Sequence, residues 1–225
     1  MSLTLHMHPL ASFCHKVLIA LYENGTPFAS HLVDLGDPAA TAAFKALWPI
    51  GNMPVLRDEG KDRTVAETSI IIEYLDQHYR GAVRFIPADP ELALQARFVD
   101  RFYDIYVHQP MQKIVTDRLR PAGENDHNGV AQARTLLQTA YGVIEHDMAS
   151  RTWAAGEAFT IADCAAAPAL FYANVVAPFG DTHPRIAAYF AQLRERPSFA
   201  RVLVEAEPYF KFVPQEESET PRLRR

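Results

Sequence analysis

The chain has 225 residues, of which 48% are hydrophobic, 22% charged and 11% aromatic, a globular balance that excludes a disordered or fibrous polymer and has room for two modest domains. Its 22 Lys and Arg against 27 Asp and Glu give a formal charge of -5, which removes the main driving force for nucleic-acid binding. The two cysteines, Cys14 and Cys164, have neither metal nor dithiol spacing and fit a reducing, cytoplasmic setting, and neither a membrane span nor a secretory leader is expected.

In chain order, Leu3, Leu5 and Met7 alternate with Thr4 and His6, which predicts a short strand ended by Pro9. Phe13, Val17, Ala20 and Leu21 then share one face of a helix over 13–24, stopped by Asn24-Gly25. A second strand over 28–33 completes a parallel β-α-β unit, and a short helix follows at 39–47. Pro54-Val55-Leu56 and Thr64-Val65-Ala66 predict a hairpin around Asp58-Glu59-Gly60. A helix over 69–78, with Ile70, Ile71, Tyr74 and Leu75 as its apolar positions, closes the first region.

After Gly81 the strand patterns stop. Asp89-Pro90 reads as an N-cap with proline at the first helical position. A long helix follows with Leu94, Phe98, Phe102 and Ile105 in one stripe, and Pro110 is expected to kink it. Ala133, Leu137, Ala140, Ile144 and Met148 form the inner face of another helix. Thr160-Ile161-Ala162-Asp163 has the spacing of a capping box. The apolar run 162–177 has no polar face, so it predicts a central helix, bent at Pro168 and with Trp153 packed nearby. Pro184 and Pro197 bracket a further helix with Ile186, Phe190 and Leu193 inward, and Ser198 is placed as the cap of a last one. The expected division is an N-terminal α/β domain over 1–82, a linker at 83–89, an all-helical domain over 90–213 and a tail at 214–225.

Several residues have both a structural and a chemical reading. Ser12, at the start of the first helix, is either an N-cap or a hydroxyl beside the positive end of the helix dipole. Pro54 by itself reads as a turn proline, and Glu67-Thr68 are either capping residues or an anion site at a strand-to-helix junction. Cys14 and Cys164 read as core thiols. The nine histidines form no HxH or HExxH pair, so no metal is expected.

Four segments, Ser12-Phe13-Cys14-His15-Lys16-Val17-Leu18-Ile19-Ala20-Leu21, Trp48-Pro49-Ile50-Gly51-Asn52-Met53-Pro54-Val55-Leu56, Glu67-Thr68-Ser69 and Phe159-Thr160-Ile161-Ala162-Asp163, are similar in order and spacing to the cytosolic glutathione transferase superfamily. The resemblance implies a thioredoxin-like β-α-β-α-β-β-α domain followed by a helical bundle. It implies glutathione as cosubstrate, no metal, and a homodimer. Ser12 would be the catalytic hydroxyl, and Phe13, Asn52, Met53, cis-Pro54, Glu67 and Thr68 the glutathione site, with Thr68 replacing the family's usual serine. Tyr103, Tyr106 and Phe171 (or Tyr172) are placed either at the electrophile pocket or in the core.

Where many members carry Ser-Pro-Phe or Cys-Pro-Phe, this chain reads Ala11-Ser12-Phe13, so Ala11 occupies the usual hydroxyl or thiol position. Backbone amides or His15 therefore remain alternative stabilisers of a thiolate. A glutathione-dependent thiol reductase lacks its cysteine. Conjugation to small hydrophobic electrophiles is the leading reading, with isomerase or peroxidase chemistry and a catalytically silent binding module as alternatives.

Overall fold

The computed structural model describes residues 2–121 and 123–214; apart from Pro214, the expected tail lies outside the described residues. The first region orders β1 (Leu3–Met7), α1 (Ser12–Glu23), β2 (Ala29–Leu32), α2 (Pro38–Leu47), β3 (Val55–Asp58), β4 (Arg63–Ala66) and α3 (Thr68–His78). The strands lie in the order β2-β1-β3-β4. β1 is parallel to β2 and antiparallel to β3, which pairs antiparallel with β4. In place of a plain hairpin turn, a 3-10 turn over Glu59–Lys61 joins β3 to β4. The Asp58 carboxylate holds it, accepting from the Lys61 N–H at 3.2 Å and from the Tyr74 hydroxyl at 2.7 Å.

The alternation in β1 sends Leu3, Leu5 and Met7 into the main core with α1 and α3, while His6 turns to the opposite face, 6.4 Å from the Phe44 ring of α2. α1 is buried well beyond its expected apolar face: every residue from Cys14 to Leu21 is enclosed, including His15 and Lys16. The reason is its position, since α1 also packs on helices of the second region.

That second region contains α4 (Pro90–Phe102), α5 (Gln109–Asp117), α6 (His127–Asp147), α7 (Ile161–Val176), α8 (Pro184–Glu195), α9 (Pro197–Ala206) and a 3-10 stretch over Glu207–Phe212. Asp89 caps α4 as expected, accepting from the Glu91 and Leu92 N–H groups at 2.9 and 3.0 Å. A π-helical segment, Tyr103–His108, joins α4 to α5 immediately before Pro110. Proline has no N–H to give and crowds the carbonyl four residues back, and the wider π turn relieves both.

The stripe expected to be buried on α4 faces outward in part: Leu94 and Phe98 are 63% and 60% exposed, and Ala93, Ala96 and Val99 pack inward instead. α4 lies against α7, where small side chains permit close approach. Ile70 on α3 is also exposed, its inward place taken by Ile72.

α7 is the central helix, with 14 of its residues buried. Its capping box is complete: the Asp163 carboxylate accepts from the Thr160 N–H at 2.8 Å, and the Thr160 hydroxyl accepts from the Ala162 N–H at 3.3 Å. Asp163 also accepts from the Ala154 N–H and the Tyr189 hydroxyl at 2.8 and 2.6 Å. Ser198 does not cap α9. Its hydroxyl donates to Glu23 on α1, which Arg196 also grips at 2.8 and 2.6 Å.

The two regions are tied together as well as packed. The Asn24 side chain pairs with both backbone groups of Val83 at 3.0 and 2.8 Å. Phe85 gives its N–H to Asp76 at 3.0 Å and its carbonyl accepts from the Ile161 N–H at 3.0 Å. One hydrophobic cluster runs through both regions.

Candidate active site

A cleft of about 1150 Å³ opens between the two regions. Its floor begins at Ser12, the first residue of α1, whose side chain lines the cleft beside Phe13. Ser12 is thus not the N-cap, a position held by Ala11, which has no side-chain bond to give. The Ser12 oxygen is hydrogen-bonded to Nε2 of His108, at the end of the π segment. The His108 ring lies 4.0 Å from that of Phe13, centroid to centroid. Burial, and then the nearby Lys16 ammonium, push the His108 imidazole down to about 4, so it is neutral at physiological pH.

A polar corner of the cleft is built where β4 meets α3. Glu67 adopts φ 68°, the left-handed region, rare for a residue with a side chain and found where a site holds it. Thr68 follows as the first residue of α3, so its hydroxyl stands among the unpaired N–H groups of the helix start. A carboxylate next to such a helix end suits a zwitterionic amino-acid group. Asn52, Met53 and Pro54 form the adjoining wall, with a cis bond at Met53-Pro54. Gly51 turns the chain into this wall at φ 78°. Arg101 of α4 also lines the cleft, the one Arg or Lys to do so among the described residues.

The opposite wall carries an apolar strip among the polar residues Gln109, Gln112 and Thr116, and it differs in part from the expected one. Tyr103 is 2% exposed in the core. Tyr106 faces outward, its ring 5.3 Å from that of Phe102, and Phe171 packs on the rings of Tyr172, Phe199 and Phe210. None of the three lines the cleft. The wall is made instead by Met111, Val115 and Leu119, by Tyr172, and by Phe212 and Val213 from the C-terminal end. The π segment shifts which residues of the long helix face inward. The four-residue spacing of Met111, Val115 and Leu119 is a signal the sequence carries. Tyr172, held by its hydroxyl donating to the Leu10 carbonyl at 2.9 Å, is the aromatic that reaches the site.

Beneath the cleft, one turn along α1 from Ser12, Lys16 is 1% exposed. Its ammonium meets Asp100 at 2.7 Å, Asp104 at 2.8 Å and the Ser69 oxygen at 3.0 Å, and Ser69 donates to Asp100 at 2.6 Å. Burial raises the Asp104 carboxyl and the Lys16 charge opposes that rise. The network joins α1, α3, α4 and the π segment behind the site.

His15 lies outside the cleft, with Nε2 on the Pro9 carbonyl, and burial lowers it to about 4. The Cys14 thiol is pushed up to about 12 by burial, and burial also raises the Cys164 thiol well above its ordinary value. Neither is a nucleophile at neutral pH.

Residues 11–78 match the glutathione S-transferase N-terminal domain and residues 99–197 the glutathione S-transferase C-terminal domain. FtsZ-localized protein A of Caulobacter vibrioides is 29% identical over 220 residues, covering 91% of this chain and 92% of that protein. Glutathione S-transferase GstB of Escherichia coli is 24% identical over 192 residues, or 84% and 91% of the two chains. A solved glutathione S-transferase from Methylobacterium radiotolerans, in complex with glutathione sulfonate, superposes with a TM-score of 0.78 at 26% identity and covers 98% of both chains. With both halves matched in order, and the thioredoxin-like sheet and central capped helix in place, the chain belongs to the glutathione S-transferase superfamily.

Proposed function

We propose that the protein is a cytoplasmic glutathione transferase that joins the glutathione thiolate to small hydrophobic electrophiles, with residues 1–82 as the glutathione-binding domain and 90–213 as the helical domain. The Glu67 carboxylate takes the γ-glutamyl ammonium, and the Thr68 hydroxyl with the start of α3 takes the γ-glutamyl carboxylate. The Met53 main chain pairs with the cysteinyl unit, and Phe13, Asn52 and Pro54 border it. The sulfur then lies at the start of α1, where the Ser12 hydroxyl and the helix dipole stabilise the thiolate, the nucleophilic form. Sulfur attacks an electrophile held on the Met111, Val115 and Tyr172 wall, a C–S bond forms, and the leaving group departs with its bonding electrons.

The observation that carries this reading is a hydroxyl on the first residue of a helix, inside a cleft whose facing wall carries an apolar strip of Met111, Val115 and Tyr172. Steady-state turnover of glutathione with 1-chloro-2,4-dinitrobenzene tests it, with the S-aryl product identified by mass. The expected result is product formation that falls by about 10²-fold or more in kcat for Ser12→Ala. Tight glutathione binding without turnover of this or an alkene or peroxide substrate would favour a silent binding module. That second reading has one comparison on its side, the similarity to a protein named for its localisation with FtsZ.

A homodimer belongs to the same reading. Leu94 and Phe98 stand one turn apart on the exposed side of α4, and Arg97 between them pairs at 2.7 Å with Glu73, one turn past exposed Ile70 on α3. An apolar face of this kind spanning two helices is what a partner subunit covers.

A further inference from the structure

We infer that His108 is a positioning residue for the transferase reaction: its Nε2–H donates to the Ser12 oxygen, which leaves the Ser12 hydroxyl proton free to point at the glutathione sulfur. The inference rests on the transferase reading above and adds to it the helical domain's contribution to the reacting centre.

Ser12 and His108 lie 96 positions apart and come from the two different regions, yet their side chains bond to each other. Both are nearly buried, at 9% and 5% exposure, so water competes weakly for either partner. The ring is fixed by its contact with Phe13, and the π segment that ends at His108 aims it toward α1.

The direction of the bond follows from the other ring nitrogen. Nδ1 of His108 is buried with no hydrogen-bond partner among the described residues. A neutral imidazole carries one proton. On Nδ1, that proton would be a buried donor without an acceptor, and Ser12 would spend its own proton on Nε2. On Nε2, only an acceptor lone pair is left bare, and buried N–H groups are orphaned far more rarely than acceptors. The proton therefore sits on Nε2. Ser12 accepts from the histidine and is polarised into a stronger donor toward an anion. The same geometry explains how a hydroxyl one residue past the usual position, which Ala11 occupies here, is made competent.

Two measurements test this on the full-length protein. The first is ultraviolet difference titration of the thiolate of bound glutathione in wild type, Ser12→Ala, His108→Ala, His108→Gln and the Ser12→Ala/His108→Ala double variant. His108→Ala is expected to raise the bound thiol pKa and lower kcat most of the way to the Ser12→Ala values, with KM for glutathione nearly unchanged. His108→Gln, whose amide N–H reaches a similar point, is expected to restore most of the effect, and the double variant to be no worse than Ser12→Ala alone. If Ser12→Ala loses the depressed thiol pKa and His108→Ala retains it, the inference falls while the transferase reading stands. If wild type never depresses the thiol pKa, both fall. The second measurement needs no variant: the nitrogen-15 correlation pattern of the His108 ring is expected to show the proton on Nε2, and a proton on Nδ1 overturns the inference.

Discussion

Replacing Lys16 with Met keeps most of the buried aliphatic stem and removes only the ammonium, so the change isolates an electrostatic effect. In the native protein that ammonium stands 2.7 Å from Asp100 and 2.8 Å from Asp104, and all three side chains are at most 9% exposed. Deleting the cation leaves two buried carboxylates facing each other, and breaking a buried pair in this way costs ~3–5 kcal/mol. For a chain of this size that corresponds to a fall of roughly 6–20 °C in melting temperature. The pH dependence has a definite sign. The Asp104 carboxyl is already raised by burial and rises further without Lys16. A carboxyl raised in the folded state contributes stability that is present below its unfolded value, near ~4, and is lost as pH climbs through the folded value. The penalty of Lys16→Met is therefore largest at pH 7.5 and shrinks toward pH 5. Urea and thermal unfolding of both proteins at one protein concentration measure it. A loss under ~1 kcal/mol, or one that grows as the pH falls, would refute the reasoning.

Asp163→Ala strips the acceptor from the Thr160 and Ala154 N–H groups and the Tyr189 hydroxyl at once. A loss of ~3 kcal/mol or more is expected in urea unfolding, with Asp163→Asn intermediate. Both cysteines are buried with raised thiols, so a disulfide exchange reagent at pH 8 is expected to label neither in the native protein and both after unfolding. Rapid labelling of the native chain would contradict the core placement. Leu94→Glu combined with Phe98→Glu places two charges on the exposed α4 face. Sedimentation velocity is expected to show dimer for wild type and monomer for this variant, and an unchanged mass would remove that face from the interface.

The features legible in the sequence are those set by neighbours within a few positions. Asn24-Gly25, Asp89-Pro90 and Thr160 with Asp163 each mark a helix end through local hydrogen bonds, and the structure has a helix end at each. Ser12, Glu67 and Thr68 could be singled out because each stands where a helix begins, which the local pattern reveals.

What stayed hidden depends on distant partners. The apolar pattern of α4 contains two candidate faces, and only the approach of α7 selects the alanines over Leu94 and Phe98. Ser198 suits a cap by its position, but Glu23, 175 residues away, claims its hydroxyl. His108 carries no local mark of function, because its meaning lies in the bond to Ser12, and the π segment that aims it has no sequence period of its own. Lys16 likewise carries no local mark, because its partners are Asp100 of α4 and Asp104 of the π segment, 84 and 88 positions away. Of the aromatics expected at the electrophile pocket only Tyr172 lines the cleft, and a spaced Met111, Val115 and Leu119 series supplies much of the rest of that wall.

The central claim is that the start of α1 and the Ser12 hydroxyl hold bound glutathione as a thiolate, and the titration of thiolate absorbance in wild type against Ser12→Ala tests it most directly. In wild type the bound thiol pKa is expected well below the ~8.5 of a free thiol, returning toward that value in Ser12→Ala. Equal depression in both proteins would contradict the assignment of Ser12 and give the role to the backbone amides of the helix start.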